Sequence, residues 1–165
     1  MMIERLIKIL VSGALAILCA LIAIGNLQDP ASNMAFVQHV LSMDYIAADS
    51  PLAGRAVPIP LLWQTAFWLI VALEWLTAAL FAFGTLELVR ARKSKAWDFQ
   101  AAKRFIYLGA GCGFLIWFVG FTGVGGEWFV MWQSPAWNGQ QAAFRLVAFI
   151  FLALIFVAQP DAELL

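Results

Sequence analysis

His39 is the chain's one histidine, standing four residues before Met43 with Asp44 alongside. On a helix, positions i and i+4 share a face, so His39 and Met43 at this spacing can offer an imidazole nitrogen and a thioether sulfur to copper. His39 alone can be an axial ligand to haem iron. The competing reading is structural, an interfacial imidazole bonded to Asp44 or to a tryptophan. Glu74 is the single charge inside a long apolar run. A carboxyl there is uncharged or paired within the bundle, and either handles a proton or ligand or bonds a neighbouring helix and holds the packing. Arg145 calls for a carboxylate, with Glu127 or Asp44 better placed than Glu74, or else clamps an anionic ligand group. Trp63, Trp128, Trp132 and Trp137 gather at one boundary with Glu127, Gln133, Asn138 and Gln140. They form either an aromatic belt or the walls of a small site. Neither a Ser/His/Asp set, a phosphate loop nor a pair of intramembrane carboxylates is present, so catalysis would need a metal or haem bound at His39. Cys19 and Cys112 lie in apolar runs without a CxxC partner and read as small core residues.

The elements that must position these residues are membrane helices. The chain has 165 residues, 64% of them hydrophobic and 12% charged, with a mean hydropathy of +0.87. A soluble domain has roughly 45–50% apolar and about 25% charged residues, so a water-soluble globule and a disordered chain are both excluded. Ten basic against ten acidic residues leave no net positive field for nucleic acid. Apolar runs long enough for a hydrocarbon core about 30 Å thick fall at about 6–27, 60–88, 105–124 and 140–157. The third is expected to end at Gly123, Gly125 and Gly126. The first outlasts a secretory h-region and is expected to stay as a span.

Arg5, Lys8, Arg90, Arg92, Lys93, Lys95, Lys103 and Arg104 fall on one side of these spans, against Arg55 and at most Arg145 on the other. That imbalance predicts both termini in the cytoplasm. The RARKSK loop with Lys103 and Arg104 reads as a topogenic and lipid-phosphate contact. By helical rise, Glu74 lies about 20 Å below the outer end of its span, at or below mid-membrane. In the first outer loop, NMAFVQHVLSMD (33–44) has helical spacing with Ser32 or Asn33 as N-cap, and predicts a short amphipathic helix at the outer interface. Gly109 and Gly113 make a GxxxG that admits close helix approach, which puts the third span at the bundle centre. The two hairpins share no motif, so an inverted repeat is not expected. The fold class is all-α: one integral membrane domain over 1–165, a four-transmembrane-helix bundle.

The stretches FVQHVLSMD (36–44), FWLIVALEWLTA (67–78) and, above all, GGEWFVMWQSPAWNGQ (125–140) resemble a bacterial family of predicted small integral membrane proteins with four spans and no assigned activity. The resemblance covers nearly the whole chain. It implies that His39, Asp44, Glu74, Glu127, Trp128, Trp132, Gln133, Trp137, Asn138, Gln140 and Arg145 belong to a family pattern, and it gives them no role. It implies the bacterial inner membrane as location. The leading expectation is a non-enzymatic protein with an outer-side pocket for a small ligand, lipid, quinone or cofactor; haem, copper and quinone are the compatible cofactors. The alternatives are an accessory subunit of a larger membrane complex and a transporter or channel subunit working as a homo-oligomer. Membrane lipids are the expected partners in every case.

Overall fold

Residues 2–163 are described by a computed structural model, and every regular element among them is helical. Helix α1 runs Met2–Gln28, α2 Pro30–Ser42, α3 Pro60–Ala91, α4 Ala96–Ala101, α5 Arg104–Phe114 and α6 Gln140–Ala158. Beyond α5 the chain continues, without a break, as a π-helix over Leu115–Trp128. Four stretches are long and apolar enough to cross a membrane: Met2–Gln28, Pro60–Ala91, Ala96–Trp128 and Gln140–Ala158.

Asp29 and Pro30 both end α1 and start α2. Proline lacks the N–H that a first-turn residue would leave unbonded, and its fixed φ suits that position. Asp29, at φ −130°, caps the new helix by accepting from the Ser32 backbone N–H at 3.2 Å. The cap therefore precedes the expected Ser32 or Asn33. The end of α2 is also earlier than expected: Met43 takes a left-handed conformation (φ 52°), and its N–H returns to the His39 carbonyl at 3.0 Å.

The third span departs most from expectation. Gly123, Gly125 and Gly126 do not stop it; the helix widens to i→i+5 bonding, and the Phe129 N–H reaches the Val124 carbonyl at 3.0 Å. In an apolar medium the backbone must satisfy itself, so continued helical bonding costs less than a frayed end. Extended π segments are rare and recur at functional sites.

Helices α1 and α3 are antiparallel. Arg5 donates to the Arg92 carbonyl at 3.2 Å, Gly13 faces Thr85, and Asn26 donates to Glu74 at 2.6 Å. Because Asn26 stands at the end of α1, residues 60–73 of α3, about 20 Å of helix, extend past it. Helix α2 covers that extension, with Val37, Phe67 and Val71 in one buried cluster. Glu74 is thus level with the end of α1, and a cavity it shares with Gly139 and Ala142 puts it level with the start of α6. Helix α3 is longer than α1 and α6, so a position near the middle of α3 falls near the ends of both.

Close approach through glycine holds as the sequence suggests. A Cβ on Gly109 would sit 3.1 Å from Phe81, and one on Gly113 2.8 Å from Ile150. Helix α5 packs against both α3 and α6. The outer faces are apolar, with Leu10 70%, Phe144 68% and Leu152 66% exposed. Such a surface is stable in lipid and not in water.

A polar pair bordering an apolar cavity

Glu74 is 2% exposed, and its Oε2 accepts from the Asn26 side-chain amide at 2.6 Å. Burying a carboxyl without a partner is costly, and Asn26 is the partner that α1 supplies. The pair borders a cavity of about 300 Å³ whose other walls are mostly apolar and aromatic: Phe36 from α2, Phe67 and Ile70 from α3, Trp117 and Phe121 from the π-helix. Phe36 stacks on Phe121 with centroids 6.0 Å apart. The wider π turn brings Trp117 and Phe121 to this wall, and Thr122 Oγ1 donates to the Trp117 carbonyl, five residues back. A second, wholly apolar cavity of about 290 Å³ shares Phe36, Val37, Ile70 and Phe121 in its lining and reaches Met131.

The residues singled out from sequence separate into smaller groups. His39 stacks on Trp137 at 4.2 Å between centroids, and its Nδ1 lies 2.6 Å from Asp44 Oδ2. Met43, the C-cap of α2, is 2% exposed in a cluster with Val40, Phe129 and Met131, whereas His39 is half-buried against Trp137. Among the described residues no group of three His, Cys, Asp or Glu side chains could hold a metal ion. Trp63 donates to the Val57 carbonyl at 2.6 Å. Arg55 lies over the Trp128 ring at 4.7 Å and donates to the Trp128 carbonyl at 3.1 Å.

Trp132, Gln133, Glu127 and Asn138 are exposed, Asn138 accepting from the Gln140 backbone N–H at 3.1 Å. The Gln140 side chain is packed against Gly126. Arg145 is exposed on α6, and no ion pair links it to Glu127 or Asp44 among the described residues. Asp44 is already committed to His39. Of the sequence candidates, Glu74 alone borders the cavity. Asn26, Phe36 and Trp117 escaped notice as site residues; Asn26 left one signal, an amide interrupting an apolar run one residue from its end.

Tyr45 anchors the loop after α2 by donating to the Phe129 carbonyl at 2.7 Å. Its burial, with a smaller contribution from the Asp44 charge, pushes the hydroxyl up to about 12.

The opposite end of the bundle, where Met2 and residue 163 lie, carries a buried polar cluster that the sequence does not announce. Arg5, Lys8 and Lys103 are 1%, 0% and 0% exposed. The Asp161 carboxylate bridges the lysines, 2.9 Å from Lys8 and 2.5 Å from Lys103. Along the sequence these cations are topology signals. They are inside because residues 159–163 fold back over them.

Four apolar helical spans with a lipid-compatible exterior define a multi-pass integral membrane protein. The chain belongs to the family described as predicted small integral membrane protein (DUF2165), which it matches over residues 4–160. No curated protein and no solved structure matches it.

Proposed function

We propose that this protein is a non-enzymatic binder of an amphipathic small molecule, with the polar head of the ligand at Glu74 and Asn26 and its apolar body along the aromatic walls. The observation that carries this reading is the buried Glu74 carboxyl, bonded to the half-buried Asn26 carboxamide, bordering a mostly apolar cavity of about 300 Å³. That size and composition suit a small-molecule site, mostly apolar with few convergent polar groups. A planar head that accepts and donates hydrogen bonds fits between Phe36, Phe67 and Trp117, and a quinone is the ligand class with that chemistry and an apolar tail. The second cavity, which shares the Phe36–Phe121 wall, offers room for the tail.

The basic residues near the termini favour a cytoplasmic location for both ends, in a bacterial inner membrane. The cavity and α2 then lie toward the outer leaflet, with α2 at the interface.

The test is a titration of the purified protein with a short-tailed ubiquinone analogue, read by tryptophan quenching, since Trp117 lines the cavity. Saturable quenching is expected in the wild type. Glu74→Gln and Asn26→Ala are expected to weaken it by about 5- to 30-fold, the scale of one lost hydrogen bond, about 1–2 kcal/mol. Quenching that never saturates, or that both variants leave unchanged, overturns the reading.

A further inference from the structure

We propose that Arg5, Lys8 and Lys103 form a phosphate-binding site that residues 159–163 hold closed, the Asp161 carboxylate taking the place of the phosphate. Two of the cations share the Phe99 ring as a floor, and Lys8 joins Lys103 through shared acceptors. Arg5 lies 4.8 Å from the Phe99 ring centroid and Lys103 lies 5.6 Å from it. Lys8 and Lys103 both donate to the Gln159 carbonyl, at 2.8 and 2.9 Å, and Gln100 Oε1 accepts from Lys103 at 2.7 Å. Glu4 stands 3.1 Å from Lys8 at the rim.

The internal carboxylate is an incomplete match for this site. Its two oxygens go one to each lysine, Oδ1 to Lys8 and Oδ2 to Lys103. Among the described residues Arg5 is left with main-chain carbonyls as its hydrogen-bond acceptors: Arg92 at 3.2 Å, Ser94 at 2.7 Å and Ala162 at 3.2 Å. Its buried Nε has no hydrogen-bond partner among the described residues. Buried donors are rarely left so, because each unmade bond costs the group its desolvation. A guanidinium fork beside two ammonium groups is the donor set that phosphate takes, and a phosphate has more acceptor oxygens than a carboxylate to reach all three.

The closing segment is also built to leave. Gln159, Pro160, Ala162 and Glu163 are exposed, so no apolar side chain of theirs anchors it. It is held by the three cations and by Glu163 accepting from the Ala96 N–H at 3.1 Å. Displacing it exposes the cations at the level where α1 and α5 begin, a depth that both a lipid headgroup phosphate and free phosphate can reach.

The test uses the full chain in dodecyl maltoside micelles, which carry no phosphate, with amine acetylation at Lys8 and Lys103 read by mass spectrometry. Wild type is expected to protect both lysines. Asp161→Asn should label them at least tenfold faster, and phosphatidylglycerol added to the micelle or millimolar inorganic phosphate should restore protection. Restoration by phosphatidylglycerol alone identifies the headgroup as the source; restoration by phosphate as well identifies a general phosphate site. Labelling of Asp161→Asn at the wild-type rate, or without protection by either anion, overturns the proposal. Should Asp161→Asn fail to fold, the wild-type thermal midpoint decides. A rise with phosphatidylglycerol or phosphate, over chloride at matched ionic strength, that Lys103→Gln cancels supports the site; no rise overturns it.

Discussion

Glu74 shows how a residue's meaning depends on its neighbour. Read alone it is an expensive charge in lipid; beside Asn26 it is half of a directed polar pair facing an apolar cavity. His39 moves the other way. With Trp137 stacked on it and Asp44 at its Nδ1, its contacts are those of a side chain held in place at the loop end of the bundle. Tyr45 gives a pH prediction at this scale. The folded hydroxyl is raised to about 12, whereas an unfolded tyrosine titrates near 10. Between those values the unfolded chain has given up its proton and the folded one has not. The stability from neutral Tyr45 is therefore complete below pH about 10 and is lost as pH rises toward about 12. Denaturant midpoints measured from pH 8 to 12 should fall across that window, and Tyr45→Phe should flatten the fall.

At the scale of elements, the glycines separate close approach from idle space. A Cβ on Gly84 would lie 2.4 Å from Ile106 Cδ1 and 3.0 Å from the Ile106 backbone nitrogen, so a rotamer change cannot relieve it. Gly84→Ala is expected to destabilise the α3–α5 contact by about 1–3 kcal/mol, the cost of overpacking. Gly111, with nothing within 4 Å of its would-be Cβ, is the control. Gly111→Ala should be neutral or slightly stabilising, since alanine restricts the unfolded chain and favours helix. Unfolding titrations in mixed micelles compare the two; equal midpoints would contradict the packing described. The start of α3 at Pro60 was readable because proline's constraint is local, whereas at Pro30 the side chains of Ser32 and Asn33 offered a competing cap and the start of α2 was placed too late. The π-helix was not readable, because glycine permits both an ending and a continuation. The surroundings of Leu115–Trp128 decide between them.

At the scale of the whole molecule, the two ends of the bundle differ. One has the two apolar cavities, the aromatic wall and α2; the other has the buried cations and the returning segment. The orientation proposed from the positive-inside imbalance, with the second end in the cytoplasm, makes a prediction at this scale. An alkaline phosphatase domain inserted after Ala48 should be active in a Gram-negative host, and one fused after Leu165 inactive. The reverse pattern would invert the molecule and place the cavity at the cytoplasmic leaflet.

Four spans, their approximate limits and the closeness of α5 to its neighbours were determined by the sequence alone. Their causes are runs of apolar residues longer than a bilayer needs, and glycines with helical spacing. Those signals act within twenty or so residues. Which polar groups meet was decided only by the tertiary structure. Asn26 finds Glu74 across 48 residues, and Lys8 finds Asp161 across 153. No local pattern encodes such pairs; they follow from the lengths of α1 and α3, the offset between them, and the return of residues 159–163. The physical reason is that lipid leaves a polar side chain no solvent to turn to, so its partner is whichever group the packing brings within reach.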